Sequence, residues 1–270
     1  MTQMTFARAI NAGLRKSLEN DPKVVLMGED IGTLGGVFRV TDGLQKDFGT
    51  HRVVDTPLAE SAIVGTAVGL AYRGYRPVVE IQFDGFIYPA FDQIVSQVAK
   101  LHYRTRGAVK MPITIRVPFG GGIGSPEHHS ESPEAYFTHT SGLRVVTVSS
   151  PQDAYTVIQQ AISCDDPVLY FEPKRRYHDK GEVDESLDHT APVPMGQARV
   201  LTQGGDVTLV AYGPLVKTAL DAASAAADEG ISAGALRSRD WANLRARQLG
   251  QGRHVVSIRV RRLVHQSPAS

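Results

Sequence analysis

The chain has 270 residues, a formal net charge of +1 and 42% apolar residues. That is enough to bury one large or two smaller cores, and too evenly charged for a general nucleic-acid binder. Its one cysteine, Cys164, excludes a disulfide framework or a multi-cysteine zinc site and suits a reducing cytoplasm.

In chain order, Thr5 to Asn20 reads as an amphipathic helix with Phe6, Ile10, Leu14 and Leu18 on one stripe and Thr5 as its cap. The same N-terminal stretch lacks the apolar core of a signal peptide. No run anywhere approaches the roughly 18 apolar residues that span a bilayer. A soluble cytoplasmic protein is expected, with neither membrane nor nucleic acid as partner. Val24 to Met27 is a continuous apolar strand of the buried parallel kind, followed by Gly28-Glu29-Asp30. Ile31 to Gly36 is a glycine-rich loop, Val37 to Phe48 a short helix, and Arg52 to Asp55 a strand.

Glu60 stands at the mouth of a helix whose apolar positions are Ile63, Ala67, Leu70 and Ala71. Gly65 and Gly69 leave one face of that helix nearly bare. Each glycine costs roughly 1 kcal/mol relative to alanine, so something is expected to pack close there. Pro77 to Phe83 is a strand with Gln82 at its carboxyl end. Phe91, Ile94, Val95 and Val98 mark one face of a following helix. Further strands lie at Ile113 to Val117, Arg144 to Val148 and Val168 to Phe171, with a helix from Asp153 to Ile162. This alternation predicts an α/β fold built on a doubly wound, mostly parallel sheet. Ligands of such sheets bind beyond the carboxyl ends of strands, which gathers Glu60, Gln82 and Phe86 around one crevice.

The stretch VPFGGGIGSPEHHSESPEAYFTHT is a long polar loop holding three of the nine histidines; loops of that length are usually functional or disordered. Its run Gly120 to Gly124 lacks the spacing of a dinucleotide fingerprint and opens no helix. From Tyr177 to Gly196 the chain is polar and proline-bearing without a period, and a linker is placed over 187–196. Val207 to Tyr212 is a strand and Leu215 to Glu229 a helix. After Ile231 the pattern fails. From Ala235 onward there are eight arginines, no lysine and one acid, with one strand suggested at Val255 to Val260. A basic nucleic-acid tail is one reading. An out-of-frame or truncated end beginning near Ser232 is the preferred one, and the genomic reading frames beyond that codon are its test.

The candidate residues each have a plainer reading. A carboxylate at a helix mouth also serves as a cap. An aromatic beside a strand end is commonly core, and a loop histidine commonly surface.

The segments GEDIGTLGGVFRVTDGL, RVVDTPLAESAIVGTAVGLA, RPVVEIQFDGFIYPAFDQIVSQVAK, MPITIRVPFGGG, PEHHSESPEAYFTH, SGLRVV and DPVLYFEPKRRYH run in order through residues 24–178. In them the chain resembles the β subunit of thiamine diphosphate-dependent 2-oxo acid dehydrogenases. EIQF, PAFDQI and FEPKRRYH are nearer the branched-chain type than the pyruvate type. The resemblance implies a transketolase-like pyrimidine-binding domain over 1–186. After the linker it implies an incomplete transketolase C-terminal-type α/β domain over 197–270, with the atypical tail from about 232. It matches Leu58, Glu60, Gln82 and Phe86 to the pocket of the cofactor's pyrimidine ring, with Glu60 bonding a ring nitrogen. It matches His129 to a proton donor in reductive acylation of a lipoyl group, a task suited to imidazole. Ile113, Ala161, Ile162, Cys164 and Asp166 match positions that hold a structural potassium ion, largely through carbonyl oxygens. Plain loop structure before Asp166-Pro167 accounts for them equally well.

The Gly-Asp-Gly and paired asparagines of a magnesium-diphosphate site are absent. The resemblance therefore implies an α subunit that holds Mg2+ and the phosphates, in an α2β2 heterotetramer serving a lipoyl-bearing acyltransferase core. The implied substrate is a small branched-chain 2-oxo acid, with pyruvate or acetoin as alternatives and a non-catalytic remnant as another. A C-terminal domain of one strand and one helix would bury little apolar area, which predicts poor solubility and weak assembly.

Overall fold

The computed structural model describes residues 1–239 and the backbone of 254–257. A short strand β1 (Thr2–Thr5) leads into α1 (Phe6–Asn20), where the Thr5 hydroxyl accepts the Arg8 amide as an N-cap. Then come β2 (Val24–Gly28), α2 (Leu44–Phe48), β3 (Val53–Asp55), α3 (Glu60–Tyr72) and β4 (Arg76–Glu80). The helix expected over Val37 to Phe48 is confined to its last turn and a half; Gly43, at φ 76°, fixes the start of α2.

After β4 the helix expected over Phe91 to Val98 is present, but with an irregular course and an irregular approach. A 3-10 stretch (Asp84–Ala90) contains Pro89, and a π-helical stretch (Gln93–Val98) follows before α4 (Leu101–Arg104). Proline lacks the N–H that a regular α-helix needs at that point. Next come β5 (Thr114–Phe119), α5 (Glu134–Thr138), β6 (Arg144–Thr147), α6 (Pro151–Ser163) and β7 (Val168–Pro173).

Six strands form one parallel sheet in the order β3-β2-β4-β5-β7-β6. Every residue of β2, β5 and β7 is buried, as strands covered on both faces require. On one face α1 and α6 close a core around Phe6, Ile10, Leu14, Tyr155 and Ile158. On the other, α3 and the irregular segment close a second core around Ile63, Ala67, Ile87, Ile94 and Val98. The sheet winds from β2 out to β3 on one side and from β4 through β5 on the other. The carboxyl ends of β2 and β4 are thus the switch point where such sheets take ligands.

The polar stretch after Tyr177 is not wholly irregular. Strand β8 (Lys180–Val183) pairs antiparallel with β1, Thr2 opposite Val183 and Thr5 opposite Lys180. No regular element occurs between Val183 and Arg199.

A second sheet, ordered β12-β10-β11-β9, is formed by β9 (Arg199–Thr202), β10 (Val207–Tyr212), β11 (Ala233–Ser238) and β12 (His254–Ser257), with α7 (Leu215–Asp228) packed on it. The sequence pattern fails after Ile231, but the structure does not. Instead β11 pairs in parallel with β10 along its whole length, and all but its first residue are buried. Alanine and glycine at 233–235 hide the strand from a hydrophobicity reading but fit between β9 and β10. The strand expected at Val255 to Val260 is present at His254–Ser257; the rest of it lies outside the described residues. The core of this sheet is small, centred on Ala211, Val216 and Ala219. Arg237 and Arg239 reach back to the first sheet and ion-pair with the buried Asp153 near the start of α6.

Candidate active site

The carboxyl edge of the six-stranded sheet is acidic and aromatic. Glu29 and Asp30 follow β2, Asp55 ends β3, Glu60 opens α3, and Gln82 and Phe83 follow β4. Across the switch point Gln82 Nε2 donates to Asp30 Oδ2 at 3.2 Å. Asp55 accepts the Gly32 amide at 2.6 Å and so holds the glycine-rich loop over the strand ends.

Glu60 is only 8% exposed. It does not cap its helix by a hydrogen bond: Ala59 is the cap residue and no side-chain cap bond forms. Among the described residues its carboxylate has no hydrogen-bond partner, although the first turn of α3 favours a negative charge there. Burial, then the charge of Glu60, pushes the neighbouring Glu29 carboxyl above its ordinary range, with Asp30 and Glu80 adding to the effect. Leu58, the expected pocket residue before α3, is 75% exposed and stands outermost.

The expected aromatic wall is larger than one residue. The Phe86 ring meets the Phe83 ring edge-on at 5.6 Å. His129 lies between them, its ring 4.2 Å from Phe83 and 5.3 Å from Phe86. Its Nδ1 is 2.7 Å from the Glu127 carbonyl, a contact that requires the ring proton on Nδ1. His128 differs: it is exposed and sits at φ 59°. Of the two adjacent histidines, the structure brings only His129 to the aromatic pair.

Beneath this edge lies a buried charge network. Arg116 on β5 donates to Glu172 Oε1 at 2.7 Å and Oε2 at 3.0 Å, and to Glu80 Oε2 at 2.5 Å. Tyr177 donates to Glu172 at 2.7 Å. Such a network is costly to desolvate, so its net contribution to stability is small even though breaking one partner of it would be strongly destabilising. A single sequence does not reveal it, because charged residues inside β-branched runs read as strand edges.

The five potassium candidates gather near the opposite end of the sheet, and their groups already have partners. Arg76 Nη1 donates to the carbonyls of Ile162 and Cys164, each at 3.1 Å. The Ile113 carbonyl accepts the Val168 amide at 2.9 Å, and that of Ala161 accepts the Cys164 amide at 3.2 Å. The Asp166 carboxylate receives the Arg144 guanidinium at 2.9 and 3.0 Å. A monovalent cation would have to share these oxygens with a guanidinium. Among the described residues no group of three or more His, Cys, Asp or Glu side chains could hold a metal ion.

The site therefore offers an unbonded carboxylate on a mostly buried residue, an amide and an aromatic wall at one edge. Such a set could receive a flat, nitrogen-bearing aromatic ring, with a carboxylate to accept from a ring nitrogen and aromatic side chains to pack on its face.

Residues 2–180 match the transketolase pyrimidine binding domain, and residues 196–240 the transketolase C-terminal domain. The chain is 59% identical over 229 residues to the pyruvate dehydrogenase E1 component subunit beta of Leifsonia xyli subsp. xyli, covering 85% of this chain and 67% of that one. It is 56% identical over 223 residues to the 3-methyl-2-oxobutanoate dehydrogenase subunit beta of Mycobacterium tuberculosis, covering 83% and 63%. The chain thus spans about two thirds of the length of these curated relatives. Among solved structures it superposes on a split-gene transketolase described as an inactive beta4 tetramer with TM-score 0.71 at 21% identity, covering 88% of this chain and 72% of that one. It superposes on a Pichia stipitis transketolase with TM-score 0.74 at 17% identity, covering 96% and 39%. At these identities the superpositions establish the fold.

Proposed function

The chain belongs to the transketolase pyrimidine-binding family and, within it, to the E1 beta subunits of 2-oxo acid dehydrogenases, and on that premise we propose that it supplies the pyrimidine side of a thiamine diphosphate site shared with an α subunit. The observation that carries this reading is Glu60, a residue 8% exposed at the carboxyl edge of the sheet whose carboxylate oxygens have no hydrogen-bond partner among the described residues. Glu60 would accept from a ring nitrogen and so fix the ring's tautomer and orientation. Gln82, Phe86 and Phe83 would bound the ring, and Leu58 would be covered from the partner's side. When bound, the cofactor supplies the carbanion chemistry that decarboxylation needs. His129, with its proton on Nδ1, would exchange protons with an incoming lipoyl group.

On this reading the phosphates and Mg2+ are held by the α subunit of an α2β2 assembly in the cytoplasm, and the acyl group passes to a lipoyl-bearing acyltransferase core. A branched-chain 2-oxo acid is the favoured substrate, supported by EIQF, PAFDQI and FEPKRRYH and by the name of the Mycobacterium relative. Pyruvate is the second reading, supported by the name of the Leifsonia relative. The test is co-expression with an α subunit and thiamine diphosphate-dependent reduction of an artificial electron acceptor by several 2-oxo acids. Glu60→Gln should lower that rate by about 10²–10⁴-fold while the fold is kept. Unchanged activity in the variant removes Glu60 from the mechanism. No activity of the unsubstituted chain with any 2-oxo acid favours the remnant reading.

A further inference from the structure

Three adjacent strands, β4, β5 and β7, end at the same edge, and a residue just beyond each meets the others under the histidine loop. Asp84 follows β4, Gly120 follows β5 and Lys174 follows β7. The Lys174 ammonium lies 2.9 Å from Asp84 Oδ1, and both side chains are 0% exposed. The same ammonium donates to the main-chain carbonyl of His129 at 2.7 Å. The other Asp84 oxygen accepts the Gly120 amide at 3.1 Å, and the Glu131 amide also bonds this carboxylate. Gly120 N–H in turn reaches the Glu131 carbonyl at 2.8 Å. One ion pair therefore grips both roots of the loop and the backbone of the histidine between them.

The loop is held from a second side. The Gly85 amide donates to the His128 carbonyl at 3.0 Å. A methyl group at Gly85 would lie 2.5 Å from His128 Cα, so only glycine admits this approach. Two consecutive carbonyls, of His128 and His129, are thus fixed by Gly85 and Lys174. Fixing them determines which of the two rings faces Phe83 and Phe86.

We propose that Asp84 and Lys174 are positioning residues whose buried pair sets the register of the histidine loop, so that His129 and not His128 is presented at the aromatic wall. Resting on the assignment of His129 to lipoyl acylation, this makes the pair a determinant of the acyl-transfer half of the reaction. Replacing a buried ion pair by apolar groups of similar volume is commonly neutral for stability. These charges are kept because they bond backbone groups that apolar side chains cannot.

The experiment is histidine-ring NMR on the full chain, with His129→Gln and His128→Gln assigning the two resonances. Between Phe83 and Phe86 the His129 ring proton should be ring-current shifted, and that of His128 should not. In Asp84→Asn and Lys174→Met the His129 shift should be lost, with the cooperative melt retained. If either variant fails to fold, the double variant Asp84→Leu/Lys174→Met restores an apolar pair, and there too the shift should be lost. A His129 shift that persists in the folded variants overturns the proposal. Failure of the functional reading is separate. It would appear as normal lipoyl acylation by His129→Gln in the assembled complex, whatever the spectra show.

Discussion

At the scale of single residues, Glu134 offers a measurement independent of any partner. It opens α5 at the end of the histidine loop, is buried, and accepts from the Tyr212 hydroxyl on β10 at 3.3 Å. Burial pushes its carboxyl up to about 7 from the ordinary 4.5; its own backbone amide and Tyr212 pull it partly back, and the Asp84 charge adds to the rise. A carboxyl raised in the folded state binds its proton more tightly there than in the unfolded chain. Its stabilising contribution is complete below about pH 4.5 and is lost as pH rises through about 7. The stability of the unsubstituted chain relative to Glu134→Gln should therefore fall by on the order of 3 kcal/mol between pH 4.5 and 8. Denaturant melts at a series of pH values measure it, and a flat difference would count against a buried neutral Glu134. Glu60 was legible in the sequence because a strand end followed by a helix start puts that side chain at the edge of the sheet. Asp84 and Lys174 were not. They lie 90 positions apart, and a lysine ahead of two arginines reads as solvated surface.

At the scale of elements, helical and strand periods found α1, β2, α3, β5, α6, β7, β10 and α7 within a few residues. The misses have physical causes. β1 and β8 are four-residue polar edge strands, TQMT and KGEV, with no alternation to detect. The helix expected over Phe91 to Val98 is present but largely π-helical, a course that apolar spacing does not distinguish from an α-helix. In α3 the paired glycines were expected to admit a close neighbour. Gly65 makes only an ordinary approach to Gln93, and Gly69 has no atom within 4 Å of where a Cβ would stand. Among the described residues nothing needs glycine at 69. Gly69→Ala should raise the stability of the isolated chain by about 0.5–1 kcal/mol, the usual helix preference for alanine. If the bare face admits an α subunit, the same change should weaken binding of that subunit, read by sedimentation of the mixed subunits. A variant that melts higher and binds an α subunit unchanged would show that the face serves no partner.

At the scale of the whole molecule, the two sheets differ in what holds them. The six-stranded sheet is buried between two large apolar cores. The second sheet centres on Ala211, Val216 and Ala219, and it meets the first partly through Arg237 and Arg239 on Asp153. Among the described residues both guanidinium Nε atoms, and Arg237 Nη2, are buried without a hydrogen-bond partner. Unsatisfied buried donors make a weak joint. Amides of β10 and β11 should therefore exchange with solvent well before those of β5 and β7, in a separate opening step. Exchange of both sheets in a single step would mean that the joint is as strong as either core. The pairing of β1 with β8 bears on how the chain is made. Synthesis releases Thr2 to Thr5 well before their partner Lys180 to Val183, which follows only after the whole parallel sheet. At about 5–20 residues per second, the leading strand waits on the order of tens of seconds for its mate. A waiting edge that is brief and hydrophilic tempts few neighbouring nascent chains, so the composition that hid TQMT from view also protects it before closure.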